Sequence, residues 1–515
     1  MSSSAGGAVW EEKEVWRSGG QSWRPGAEYW RRRAVLPGFL ALLIVAIGIA
    51  AFVENQPLFV WAALAPGIWL ALQAPEKLVG LLLLTTPMFP VIRVLQDGLG
   101  AQQVSTRGLF FSLDDPITMA LLFGASVQQI RHTGPKMELF PTALLGLAAL
   151  YPLVIALNLT RLDGSQSMLS CLYYLKWLQY ASLLVLIPAV TRWHSMPVLL
   201  RTLRRCVVLA LVASALLACY EFAEALRTGS YRSAGAFPRA SGFFGTLDPS
   251  RFGASEDPVN FGVLMMAGGA IALAYATQTR TSGWVARAGA FVAALAGVFL
   301  SASRTPLLAA CVAYSRLRRI TFMQAVATLV FVILLVAILQ PFFPSLWATT
   351  WIRFESILFE DMAIDGSAQS RLDIVLNAPV FEWDSYWLAG HGHSSYRFIA
   401  GEHLSRFTSG ISRSLYNFPL TVWYDVGPVG LLLWCVLYVQ LRRRLARIAA
   451  QTVQPELRAL AGGLQAGLLG LAVASMFGEF PYNWRVMGFF YACCGVCLAC
   501  DQVERHWRRR ESGAR

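Results

Sequence analysis

The sequence predicts an all-α fold: a polytopic transmembrane helical bundle of about 14 spans (12–14), with a large extracytoplasmic loop subdomain. Three observations predict it. Of 515 residues, 56% are apolar and only 14% charged, where a soluble chain carries roughly 25% charge. The apolar residues gather in runs near the ~20 residues that cross a bilayer. The 43 Lys and Arg, which leave a net charge of +13, sit mostly in short segments between those runs. That pattern sets membrane topology. It does not build the water-facing basic module of a nucleic-acid binder, so no nucleic-acid partner is expected.

Runs close to span length are 34–53, 57–73, 77–95, 139–158, 168–190, 203–222, 259–279, 319–340, 419–440 and 459–477; shorter ones are 116–130, 284–301, 303–316 and 486–500. The doubtful span is 303–316. With fourteen spans and a cytoplasmic N-terminus, 28 basic residues fall inside and 14 outside, with Lys176 in a span. Merging 284–316 into one helix leaves 21 inside and 20 outside. The positive-inside rule therefore favours a break at the turn SASRTP (301–306) and an N-in, C-in chain.

The domains follow: a cytoplasmic N-terminal tail (1–33), a transmembrane bundle (34–340) with an outer loop at 223–258, a large periplasmic loop (341–418), C-terminal transmembrane helices (419–500) and a cytoplasmic tail (501–515). In the first tail Trp16, Trp23 and Trp30 are spaced by seven, but Gly19-Gly20 and Pro25-Gly26 interrupt any amphipathic helix and leave aromatic anchors. The first apolar run follows a lead too long for a signal peptide and reads as an uncleaved span. Cys493, Cys494, Cys497 and Cys500 lie in the apolar run VMGFFYACCGVCLAC without His partners. They read as small packing residues, and no metal and no cofactor is expected. Gly463 and Gly467 have the spacing of close helix packing.

The chain has no P-loop, no H-E-x-x-H and no D-x-D metal–nucleotide clamp. What remains is arginine on the outer side. Arg239 in PRASGFFG and Arg304 in SASRTP sit in Gly/Ser/Pro breaks rather than on helix flanks, and Arg371 leads RLDIVLNAPVFEW. A planar guanidinium binds phosphate through two parallel hydrogen bonds. Arg251, Arg397 and Arg406 read instead as contacts to lipid headgroups. Lys176 in LYYLKWLQY reads as the one charge clearly deep in a span, a position that is costly and often functional. His391, His393 and His403 occur in AGHGHSSYRFIAGEH. Imidazole titrates near neutral pH and suits a base, and Glu402 is a second candidate.

Four places resemble the O-antigen ligase and O-antigen polymerase superfamily. PRASGFFG followed by DPVNFGVLMMA is similar to its Arg-x-x-Gly element and the Asn-containing start of the next span. FLSASRTPLLA is similar to its Ser-Arg hairpin, and RLDIVLNAPVFEWDSYWLAGHGHSSY to the Arg-led helix and Gly-x-Gly turn of its large loop. SLYNFPLTVWYDVGPVGLLLW is similar to the segment that re-enters the membrane. The resemblance covers roughly residues 165–500. It implies a membrane glycosyltransferase that moves a glycan from an undecaprenyl-diphosphate carrier to a glycan or lipid A–core acceptor, at the outer face of a bacterial inner membrane. Arg239 and Arg304 match the arginines that hold the donor diphosphate; Arg371 and Lys176 join that donor set on their position. Family ligases carry a His-Asn pair where this chain has Tyr416-Asn417. Ligase and exopolysaccharide or O-antigen polymerase thus both stay open. A base is then expected from His393 first and Glu402 second, with Tyr416 orienting the acceptor. The rival readings are a glycan transporter, for which no internal repeat is evident, and a non-catalytic partner of a polysaccharide export assembly.

Overall fold

A computed structural model describes residues 64–88, 92–93, 110–111, 114–130, 141–160, 164–191, 196–227, 258–279, 284–301, 303–317, 388–393 and 415–513. Among these, the fold is a bundle of α-helices: α1 Leu64–Gln73, α2 Pro75–Met88, α3 Asp114–Ile130, α4 Thr142–Leu157, α5 Gly164–Ala181, α6 Leu183–Val190, α7 Met196–Arg227, α8 Pro258–Gln278, α9 Trp284–Leu300, α10 Arg304–Leu317, α11 Phe418–Gln451, α12 Pro455–Ser475 and α13 Trp484–Gly513. A two-residue antiparallel pair, Ile92–Arg93 with Phe110–Phe111, joins α2 to α3. Among the described residues, six stretches are long and apolar enough to cross a membrane, and Leu64–Gln73, Thr142–Leu157 and Val285–Leu300 are shorter apolar helices. Leu209, Leu216, Val292 and Leu432 stand exposed on the outside, a surface suited to lipid. The chain is a membrane protein. The first predicted span and the one at 319–340 lie outside the described residues, as do most of the two predicted outer loops.

The middle of the bundle is packed by small residues. At Gly463 of α12 an added Cβ would stand 2.7 Å from the Ile271 Cα and 3.0 Å from the Ala270 carbonyl, so the α12 and α8 backbones nearly touch. Gly467 faces Ala267 and Phe490, and Gly470 faces Met266. As the α12 numbers rise the α8 numbers fall, so these helices run antiparallel. Helix α13 lies deepest; Cys493, Cys494, Cys497 and Cys500 are all fully buried in it, where small side chains let neighbouring helices approach.

The disputed segment 284–316 forms two helices that turn back on each other. Gly297 and Ala294 of α9 meet Met265 and Gly269 of α8 in antiparallel order, whereas Pro306 and Tyr314 of α10 meet Gly262 and Gly269 in parallel order. The chain thus reverses between α9 and α10, where the sequence places its break.

These directions sort the polar groups to two ends. One end gathers Arg204 paired with Glu456, Arg287 with Thr279, Arg444 with Asp501 at 2.6 Å, and Thr452 with Glu504 at 2.6 Å. At the opposite end lie the start of α3, the end of α4, the starts of α8, α10, α11 and α13, and the turn 388–393.

Candidate functional site

Helix α11 is broken near its start. Val426 (φ −135°, ψ 16°) and Gly427 (φ 68°, ψ −175°) leave the helical region, and Pro428 follows. Proline has no N–H to close the bond to the Tyr424 carbonyl, so that carbonyl and its neighbour need other donors. The turn 388–393 supplies them: His391 N–H donates to the Tyr424 carbonyl at 2.9 Å, and Gly392 N–H to the Asp425 carbonyl at 2.9 Å. Docking this close requires glycine. Gly390 and Gly392 have φ of 80° and 103°; a Cβ on Gly390 would lie 2.5 Å from the Asp425 carbonyl oxygen, and one on Gly427 would collide with the Leu388 backbone. Asn158, fully buried at the end of α4, holds the turn from the other side through Nδ2 to the Gly390 carbonyl at 3.1 Å.

The docked turn buries both histidines. His391 is 5% exposed and stacks on Tyr424 at 4.2 Å between ring centroids. His393 is 3% exposed, and its Nδ1 lies 3.4 Å from Oδ2 of Asp425, which is itself fully buried. The imidazole is gripped edge-to-face by Tyr151 at 4.8 Å and Tyr482 at 4.7 Å. These two rings are joined hydroxyl to hydroxyl at 2.6 Å, and Trp434 Nε1–H donates to the Tyr151 hydroxyl at 3.0 Å. These contacts fix the plane of the ring, and its Nδ1 side faces a carboxylate. Both side chains of this pair are buried.

Asp425 was missed as a buried charge. Lys176 is not alone in the spans, because Asp425 sits within the predicted span 419–440. The local signal was Gly427-Pro428, which marks a broken helix; non-helical backbone at membrane depth occurs where protein or a cavity covers it.

Tyr416 lies at the start of α11, with φ 50°, half-buried. Asn417 caps the helix, its Oδ1 accepting from Leu420 N–H at 3.1 Å, while its Nδ2 donates to the Met476 carbonyl at 3.2 Å. Glu479, another residue the sequence did not single out, braces this turn: its Oε1 accepts from Leu415 N–H at 3.0 Å and from the Thr421 hydroxyl at 3.1 Å.

Arg304 opens α10 and is half-buried. It shares the His393 end of the bundle, since α10 runs parallel to α8 while α12 runs antiparallel to it and ends beside the Asn417 turn. Lys176 forms an ion pair with Asp115 in the first turn of α3 and lies 5.1 Å above the Trp484 ring, which Arg485 also approaches at 5.0 Å. Arg239, Arg371 and Glu402 lie outside the described residues.

The geometry thus pairs His393 with Asp425 and places Tyr416 and Arg304 at the same end of the bundle. No curated protein matches the chain. Residues 289–435 match the family model described as O-antigen ligase. That segment runs from α9 through the Arg304 turn and the His393 turn to the broken start of α11, and over it the chain is similar to the O-antigen ligase family.

Proposed function

We propose that the chain transfers a glycan from a polyprenyl-diphosphate carrier to a sugar hydroxyl, at the bundle end that carries Arg304 and His393, facing away from the cytoplasm. The observation that carries this reading is the buried His393–Asp425 pair inside the matched segment. His393 takes the proton from the acceptor hydroxyl on Nε2, while Nδ1 faces Asp425. The acceptor oxygen attacks the anomeric carbon, and the bond to the carrier breaks with its electron pair leaving on the diphosphate. Arg304, with Arg239 and Arg371, stabilises the charge that grows there; fixed guanidinium groups achieve this without reorganising at the moment of reaction. Tyr416 orients the acceptor by hydrogen bonding, because a phenol hydroxyl is a poor general base. Glu402 is the alternative base.

His393 is 3% exposed, so the reading requires that substrate binding open a path to Nε2. Closed, dry sites strengthen the electrostatics within them. Lys176 belongs with the donor set only if the diphosphate reaches its ion pair with Asp115; the alternative is a structural role in joining α3 to α5.

The test is turnover of purified protein with a polyprenyl-diphosphate-linked glycan. Release of free polyprenyl diphosphate together with a longer glycan is expected. A ladder of lengths identifies a polymerase, and a single addition to lipid A–core identifies a ligase. Movement of intact lipid-linked glycan across a vesicle membrane without bond exchange would replace the enzyme by a transporter.

A further inference from the structure

Resting on that reading, we infer that Asp425 is the positioning residue of the base: its carboxylate fixes which nitrogen of His393 meets the acceptor and holds the charge of the imidazolium that forms. The geometry supplies three supports. First, Asp425 is fully buried in a broken stretch of α11, where a carboxylate is costly without a partner of complementary charge. Second, among the described residues, the groups that face the His393 ring are Tyr151 of α4, Tyr482 of the 3-10 turn before α13, and Asp425 of α11. Of these, Asp425 alone is a carboxylate. Third, the turn is anchored without help from this pair. The backbone bonds of His391 and Gly392, the Asn158 contact and the close approach of Gly390 already dock it. A carboxylate is not required to hold the turn in place.

The separation of 3.4 Å is an ion-pair contact, longer than a hydrogen bond. Such contacts in substrate-free sites shorten when the reacting complex forms. With the neutral imidazole carrying its proton on Nδ1 toward Asp425, Nε2 keeps the lone pair that accepts the hydroxyl proton. The positive charge made by that transfer then lies beside a negative one. Two tyrosine rings edge-on to the imidazole fix its plane, and the carboxylate of Asp425 selects which ring edge carries Nδ1 on its side.

The experiment measures kcat and donor KM on purified protein for Asp425→Asn, Asp425→Glu, His393→Gln and the double variant His393→Gln/Asp425→Asn. Asp425→Asn is expected to lower kcat about 10–100-fold with KM within about twofold, a loss bounded by that of the base itself. Asp425→Glu should recover part of it. In the His393→Gln background Asp425→Asn should change the residual rate by less than about threefold, because an orienting group has nothing left to orient. The same fold loss in both backgrounds, a loss carried by KM, or an unchanged kcat for Asp425→Asn would overturn the assignment. Should Asp425→Asn not purify as a monodisperse protein, Asp425→Glu carries the test: wild-type kcat with the longer side chain overturns it, and reduced kcat at unchanged KM supports it. A full rate for His393→Gln sinks the base reading itself, whereas a dead His393→Gln beside a fully active Asp425→Asn sinks only the positioning role.

Discussion

At the scale of single residues, chemistry and architecture meet at glycines and at buried charge. Gly427 has φ 68° and touches the Leu388 backbone. Gly427→Ala should therefore strain α11 and undock the turn, lowering stability by about 1–3 kcal/mol; a fall in the melting temperature of the purified protein checks it, together with new labelling of His391 and His393 by an imidazole-reactive reagent. Lys176 offers a test that separates structure from binding. Removing one member of this part-buried ion pair takes a charge contact from the other and destabilises, by up to the about 3–5 kcal/mol of a fully buried pair. If the role is structural, Lys176→Met should destabilise strongly, and adding Asp115→Asn should restore much of the loss. If Lys176 holds the donor, the double variant should regain stability without regaining turnover. At this scale the sequence was partly legible. His393 stood out by residue type and by its place after Gly392. Asp425 did not, because one carboxylate at the entrance of an apolar run looks like a flank. Its depth depends on the fold bringing the turn 388–393 onto it. Glu479 was hidden for the same reason: its partners Leu415 and Thr421 are some sixty residues away.

At the scale of elements, the two breaks carry the site. The break between α9 and α10 was legible from charge, since joining 284–316 equalises basic residues on the two sides. The antiparallel and parallel contacts of α9 and α10 with α8 express the same reversal. It places Arg304 at the first position of α10, where the backbone N–H groups of the opening turn and a guanidinium together favour an anion. Arg304→Lys should consequently cost nearly as much as Arg304→Ala, about 10²–10³ in kcat, because a point charge cannot reproduce bidentate contact. Arg406→Ala should be near neutral in the same assay. Equal losses at all three would remove the specificity of the diphosphate assignment. The second break, at Val426–Gly427, was visible as Gly-Pro in the sequence. What it receives was not, because a helix break announces unsatisfied carbonyls and leaves the donor unnamed.

At the scale of the molecule, polar groups segregate to two ends of an apolar bundle. One end is laced by Arg204–Glu456, Arg444–Asp501 and Arg508–Glu504, among the basic segments expected, from charge, to face the cytoplasm. The other carries the His393 turn. Reporter fusions at Gly401 and Arg510 should read outside and inside, respectively; a cytoplasmic signal at Gly401 would reverse the face on which transfer is proposed. The class of fold was plain from composition, since a low-charge chain with spaced apolar runs has few other solutions. The measurement that tests the central claim most directly is glycan transfer by the purified chain, wild type against His393→Ala and Arg304→Ala, with a defined polyprenyl-diphosphate-linked glycan. The account predicts one polyprenyl diphosphate released per glycosidic bond formed, and a fall of about 10²–10³ in turnover for each variant while both remain folded in detergent. Wild-type turnover by both variants would contradict it.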